Sequence, residues 1–153
     1  MSPYKIFPAF AAQYPVLIEV WERSVRETHH FLAEADIQYY KPLILEQYFD
    51  QVQLFYVRVD QQVLGFIGIA GQMVQMLFVD PIARGRGVGK SLMLFAIDHY
   101  SVNNVDVNEQ NQQAVGFYQH LGFEVKERFE YDAAGKPFPI LSMMLPASFT
   151  KPF

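Results

Sequence analysis

The octapeptide Arg84-Gly85-Arg86-Gly87-Val88-Gly89-Lys90-Ser91 holds three of the chain's 9 glycines and three of its 12 basic side chains. Glycines remove the Cβ atoms that would keep backbone N–H groups from converging on an oxyanion. The helix expected to follow, from about Gly87 to Tyr100, adds unpaired N–H groups and the positive end of its dipole. Arg84, Arg86 and Lys90 set positive charge on the rim, so the ligand such a loop suits is a phosphate or pyrophosphate. Spacing excludes two better-known phosphate loops. Counting back from Gly89-Lys90 puts Arg84 where a P-loop needs its first glycine, and a Gly-x-Gly-x-x-Gly fingerprint would put Lys90 at its last one. A plain flexible helix entry is the alternative. The clustered arginines, and the Asp80-Pro81 that ends the preceding strand, favour the anion site.

Working outward, Met73 to Val79 reads as a strand before the loop, and Val63 to Ala70 as a nearly continuous apolar strand before that. Leu54 to Val59 forms a further strand, joined through Asp60-Gln61-Gln62. Tyr4 to Phe7 suits a short first strand. Between them Val16, Leu17, Val20, Trp21, Ser24, Val25 and Thr28 recur at helical spacing, with Pro15 in the first turn. A second helical stretch runs from Asp36 to Phe49, with Pro42 as a kink or late start. Downstream come a strand at Val105 to Asn108 and a helix that Asn111 caps or precedes, running to about Leu121 and stopped by Gly122 as a left-handed cap. Two last strands follow, Phe123 to Tyr131 and Ile140 to Leu145. This is a mixed α/β order, read as one domain over residues 1–153.

Apolar residues at 51% with 18% charged residues suffice for a packed core. A net charge of −4 disfavours nucleic acid as the main partner. Without cysteine there is no disulfide framework, thiol nucleophile or Cys-ligated zinc. His29, His30, His99 and His120 contain no i,i+4 pair, so the usual zinc spacings are missing and no metal is expected. No signal-peptide pattern opens the chain, and its apolar runs are too short to span a bilayer. A cytoplasmic location without membrane contact is the expectation.

Arg84-x-x-Gly87-x-Gly89 resembles the Gln/Arg-x-x-Gly-x-Gly/Ala signature of the GCN5-related N-acetyltransferases, which bind acetyl-coenzyme A. Asn111-x-x-Ala114-x-x-Phe117-Tyr118-x-x-x-Gly122-Phe123 resembles the fourth-helix motif of that family, at the expected distance. The stretches Arg23-Ser24-Val25, Thr28-His29-His30-Phe31-Leu32, Val107-Asn108-Glu109-Gln110-Asn111 and Gly135-Lys136-Pro137 are closest to its bacterial YjaB-like subgroup. The resemblance implies a mixed, mostly antiparallel sheet with a splayed central parallel pair, Met73 to Val79 and Val105 to Asn108, and helices on both faces. It also implies site residues. Backbone groups of Leu77, Phe78 and Val79 would meet the cofactor arm and thioester. The loop Arg84, Gly85, Arg86, Gly87, Val88, Gly89, Lys90 and Ser91 would hold the pyrophosphate, and Asn111 would bond the arm. Tyr118 would protonate the departing thiolate. A phenol near pKa 10 and a thiol near 8.5 make that transfer close to neutral, although Phe117 and Tyr118 also suit a core.

The acceptor amine must also lose a proton. Several family members place a Glu 11 residues before the loop motif; here that position is Met73. Asp106 is one candidate base, sharing a strand face with Asn108; a solvated strand-edge carboxylate is its plain alternative. His29 and His30 are others, against exposed helix-end histidines. Trp21, His29, His30 and Asn108 are the expected acceptor-side residues. The expected reaction is direct attack of a primary amine on acetyl-CoA through a tetrahedral intermediate, with no covalent enzyme intermediate. A coenzyme A-binding or sensing module without catalysis is the alternative that Met73 favours, and Magnesium-nucleotide binding by an irregular P-loop is a weaker one. Exposed edge strands would suit a homodimer.

Overall fold

The computed structural model describes residues 4–147, which fall into two compact units divided between Val102 and Asn103. The first unit contains β1 (Ile6–Ala9), α1 (Tyr14–Thr28), α2 (Glu34–Leu43), β2 (Gln53–Val59), β3 (Gln62–Ala70), β4 (Met73–Val79) and α3 (Val88–Tyr100). Strands β1 to β4 pair antiparallel in sequence order. On α1 the buried residues are Leu17, Ile18, Val20, Trp21, Ser24 and Val25, one stripe at three- and four-residue spacing. That stripe packs with Ile37, Phe49, Leu54, Phe66 and Met76 into the core. Both α1 and α3 pack on β3, which is why β3 is buried from Val63 to Ile69 and shows no polar alternation.

The second helix departs from its expected span. It starts earlier, at Glu34, and its regular turns end at Leu43, where wider π-type turns take over from Ile44 to Tyr48. Pro42 explains the change, because it has no N–H to donate and its ring crowds the carbonyl four residues back. The first strand also lies two residues later than expected. It contains Pro8, which is tolerable in β1 because β2 alone flanks it in this unit.

The second unit holds β5 (Asn104–Asn108), α4 (Gln112–His120), β6 (Glu124–Phe129) and β7 (Ile140–Met144), with β7 antiparallel to both β5 and β6. Val105 and Val107 are buried and alternate with half-buried Asn104, Asp106 and Asn108, so one face is core and the other polar. Phe123 is not part of β6; it is buried against Tyr118, with the rings 5.9 Å apart. Among the described residues no helix is long and apolar enough to cross a membrane.

Candidate active site

The glycine loop is anchored before it begins. Asp80, 2% exposed, accepts the Ile82 N–H on Oδ1 at 3.2 Å and caps the turn Pro81–Ala83. Arg23 of α1 donates to Asp80 Oδ2 from Nε at 2.9 Å and Nη2 at 2.7 Å. A buried carboxylate needs such partners, and here they tie the loop entrance to the first helix. Asp before Pro is a readable cap signal, but nothing in the sequence names Arg23 as its partner.

Beyond this anchor, Gly85 and Gly87 adopt φ of +74° and +83°. Gly87 is the N-cap of α3 in left-handed conformation, accepting the Ser91 N–H at 3.0 Å. A Cβ at either glycine would meet nothing within 4 Å. Backbone conformation, not crowding, therefore selects glycine there. Gly65 is the opposite case. A Cβ on it would lie 2.9 Å from Val88 Cγ1 and 3.0 Å from the Phe78 carbonyl, so its bare backbone lets the first turn of α3 settle on β3. Val88 and Ser91 are buried, Arg84 and Gly89 are half-buried, and Gly85, Arg86, Gly87 and Lys90 are exposed. Tyr4 Oη donates to the Arg86 carbonyl at 2.9 Å. The result is an open backbone cradle with cationic side chains at a helix N-terminus, which fits a pyrophosphate.

Strand β4 leads into this loop. Leu77, Phe78 and Val79, all half-buried, pair with Ile67, Phe66 and Gly65. Register passes from Gly68–Met76 to Ile69–Val74, so Gln75 is an extra residue, a bulge that the sequence pattern did not reveal. Met73 is half-buried at the start of the strand, with Gln75 Nε2 3.9 Å from its sulfur. The His29 ring lies 6.3 Å from that of Phe78 and 5.2 Å from that of Phe31. Burial, with the charges of His30 and Arg84, pushes its pKa down to about 4, so His29 is a neutral, buried imidazole and not an exposed helix end. His30 is exposed. Trp21 corrects an expectation: it is 4% exposed and packed in the core, because its position falls on the buried stripe of α1.

In the second unit, Asp106 and Asn108 share a strand face as expected. Asp106 is not a solvated edge carboxylate. Its Oδ1 is fully buried without a hydrogen-bond partner among the described residues. Burial raises its pKa, offset in part by the neighbouring Ser142, its partner in register, whose Oγ donates to Asn104 Oδ1 at 3.3 Å. Asn111 is the N-cap of α4, its Oδ1 accepting the Ala114 N–H at 3.3 Å; a ligand would therefore meet its amide NH2. Tyr118 is buried, edge-on to Phe117 and Phe123. Burial alone pushes its phenol well above the ordinary range, so proton transfer to a thiolate is less even than free-solution acidities give.

Among the described residues no three His, Asp or Glu side chains are grouped to hold a metal ion. A family model described as Acetyltransferase (GNAT) domain matches residues 21–139. The peptidyl-lysine N-acetyltransferase YjaB of Salmonella typhimurium is 40% identical over 131 residues, 85% of this chain and 90% of that protein. The solution structure of apo-form YjaB from Escherichia coli aligns with TM-score 0.83 at 35% identity, covering 94% of this chain and 97% of that one. A PaiA N-acetyltransferase of Thermoplasma acidophilum, solved in complex with coenzyme A, shares the fold at 21% identity and TM-score 0.73, covering 94% and 99% of the two chains. The α/β fold, the glycine loop and these likenesses agree: the chain belongs to the GCN5-related (GNAT) family of N-acetyltransferases.

Proposed function

We propose that this N-acetyltransferase takes its acetyl group from acetyl-coenzyme A and delivers it to the side-chain amine of a lysine in a protein. The observation that carries the reading is the Arg84–Ser91 loop, an exposed backbone cradle between a clamped turn and the N-terminus of α3. The peptidyl-lysine activity in the name of the YjaB relative supports the lysine acceptor. Acetyl-coenzyme A supplies the activated thioester. Loop N–H groups, Arg84, Arg86 and Lys90 bind the pyrophosphate. Backbone groups of Leu77, Phe78 and Val79 receive the arm and carbonyl, and the Asn111 amide donates to the arm. As the amine attacks, a C–N bond forms and the C–S bond breaks. Tyr118 gives a proton to the leaving sulfur and regains one from water, which in turn receives the proton that Asp106 releases, so both groups return to their starting state. Asp106, made more basic than an ordinary carboxylate by burial, takes the proton that the amine loses.

Calorimetry with acetyl-coenzyme A tests the cofactor half. Arg86→Glu should weaken binding by about 10-fold or more, the scale of a lost charge-assisted hydrogen bond. Wild-type protein that binds nothing overturns the reading. Met73, at the position where a Glu base is expected, favours a second reading in which the fold binds acetyl-coenzyme A without transferring acetyl. Binding with no turnover across lysine peptides and small amines would establish that one instead.

A further inference from the structure

His29 is held from several directions. Its N–H donates to Val25 O at 2.7 Å, and its carbonyl accepts from Leu32 N at 3.0 Å. Its Nδ1 lies 2.7 Å from Thr28 Oγ1, and the same hydroxyl donates to the Ser24 carbonyl at 2.8 Å. A hydroxyl has one proton and a carbonyl can only accept. The Thr28 proton is therefore committed to Ser24, and the hydrogen in the shorter contact belongs to Nδ1. This relay fixes the tautomer and leaves the lone pair on Nε2.

Among the described residues the ring's hydrogen-bond contact is the one at Nδ1, and none donates to Nε2. Nor is it sealed inside, since Asp106 Oδ1 is the fully buried side-chain nitrogen or oxygen without a partner among those residues. The ring bearing this lone pair lies 6.3 Å, centroid to centroid, from that of Phe78, on the strand that runs into the glycine loop. We propose that His29 Nε2 receives an N–H of the acceptor amine and so orients the nitrogen lone pair for attack. The inference rests on the acetyltransferase reading and adds the residue that meets the acceptor. His29 does not remove the proton. An imidazolium here would be desolvated and would face His30 and Arg84, so its part is to accept a hydrogen bond.

The test uses the full chain with a blocked lysine peptide. His29→Leu fills similar space without an acceptor atom and should raise KM for the peptide about 10-fold, the scale of one lost hydrogen bond. His29→Gln, with an acceptor near the Nε2 position, should recover most of that loss. Both variants should bind acetyl-coenzyme A like wild type, which also reports that they fold. Nitrogen-15 NMR of the wild type should show Nδ1 protonated and Nε2 bare, with the Nε2 resonance moving on peptide addition. An unchanged peptide KM in His29→Leu, or a proton on Nε2 in the free protein, overturns the assignment. Wild type that transfers no acetyl group overturns the reading beneath it.

Discussion

The buried Asp and His of the first unit are treated differently from the Asp and Tyr of the second. In the first unit Asp80 has Arg23 and the Ile82 N–H, and His29 Nδ1 has Thr28. In the second unit Asp106 Oδ1 has no partner among the described residues, and the shift of Tyr118 has burial as its cause. Buried polar groups are normally satisfied. The first unit thus pairs the charged groups at the entrance to its loop, while the second leaves an oxygen of Asp106 buried and unpaired among the described residues.

The hardest test of this contrast is Tyr118→Phe. If the phenol serves chemistry, kcat should fall about 10²-fold or more, with stability unchanged or improved. Unchanged turnover would return Tyr118 to the core.

Next comes pH. His29 titrates near 6.5 when unfolded and at about 4 when folded, so between those values the unfolded chain binds more protons. Stability is complete above pH 6.5 and falls as the pH drops toward 4, by about 3 kcal/mol in all. Denaturant titrations from pH 7.5 to 4.5 should show most of that slope, and His29→Gln should flatten it.

Asp106 has the opposite sign. Its folded pKa is raised, so its ionisation weakens the fold as pH rises through its range. Asp106→Asn should therefore be slightly more stable than wild type at pH 7 by thermal melting while losing activity. Loss of stability instead would show the carboxylate to be structural, and the contrast between the units would fail.

Local signals made much of this legible. Strand β4 was readable residue for residue, from Met73 to Val79, because a run of apolar residues is bounded by Gly71-Gln72 and Asp80-Pro81. The Gly122 stop and the Asn111 cap were readable because each acts within a few residues of itself. The extent of α2 was not, since a proline announces a disturbance but not whether the chain kinks, starts late or widens its turns. Trp21 was misplaced because an aromatic residue on a helix stripe can line a pocket or fill a core with the same spacing.

The sequence by itself determined the element order, the glycine loop and its charge, and the two motifs that mark the family, all patterns carried by near neighbours. Only the tertiary structure decided that Arg23 grips Asp80, that Gly65 makes room for Val88, that Asp106 has a buried oxygen without a partner among the described residues, and that the Nδ1 of His29 lies 2.7 Å from the Thr28 hydroxyl. Burial and hydrogen-bond inventory depend on residues far apart in the chain, and these set protonation states that no spacing encodes.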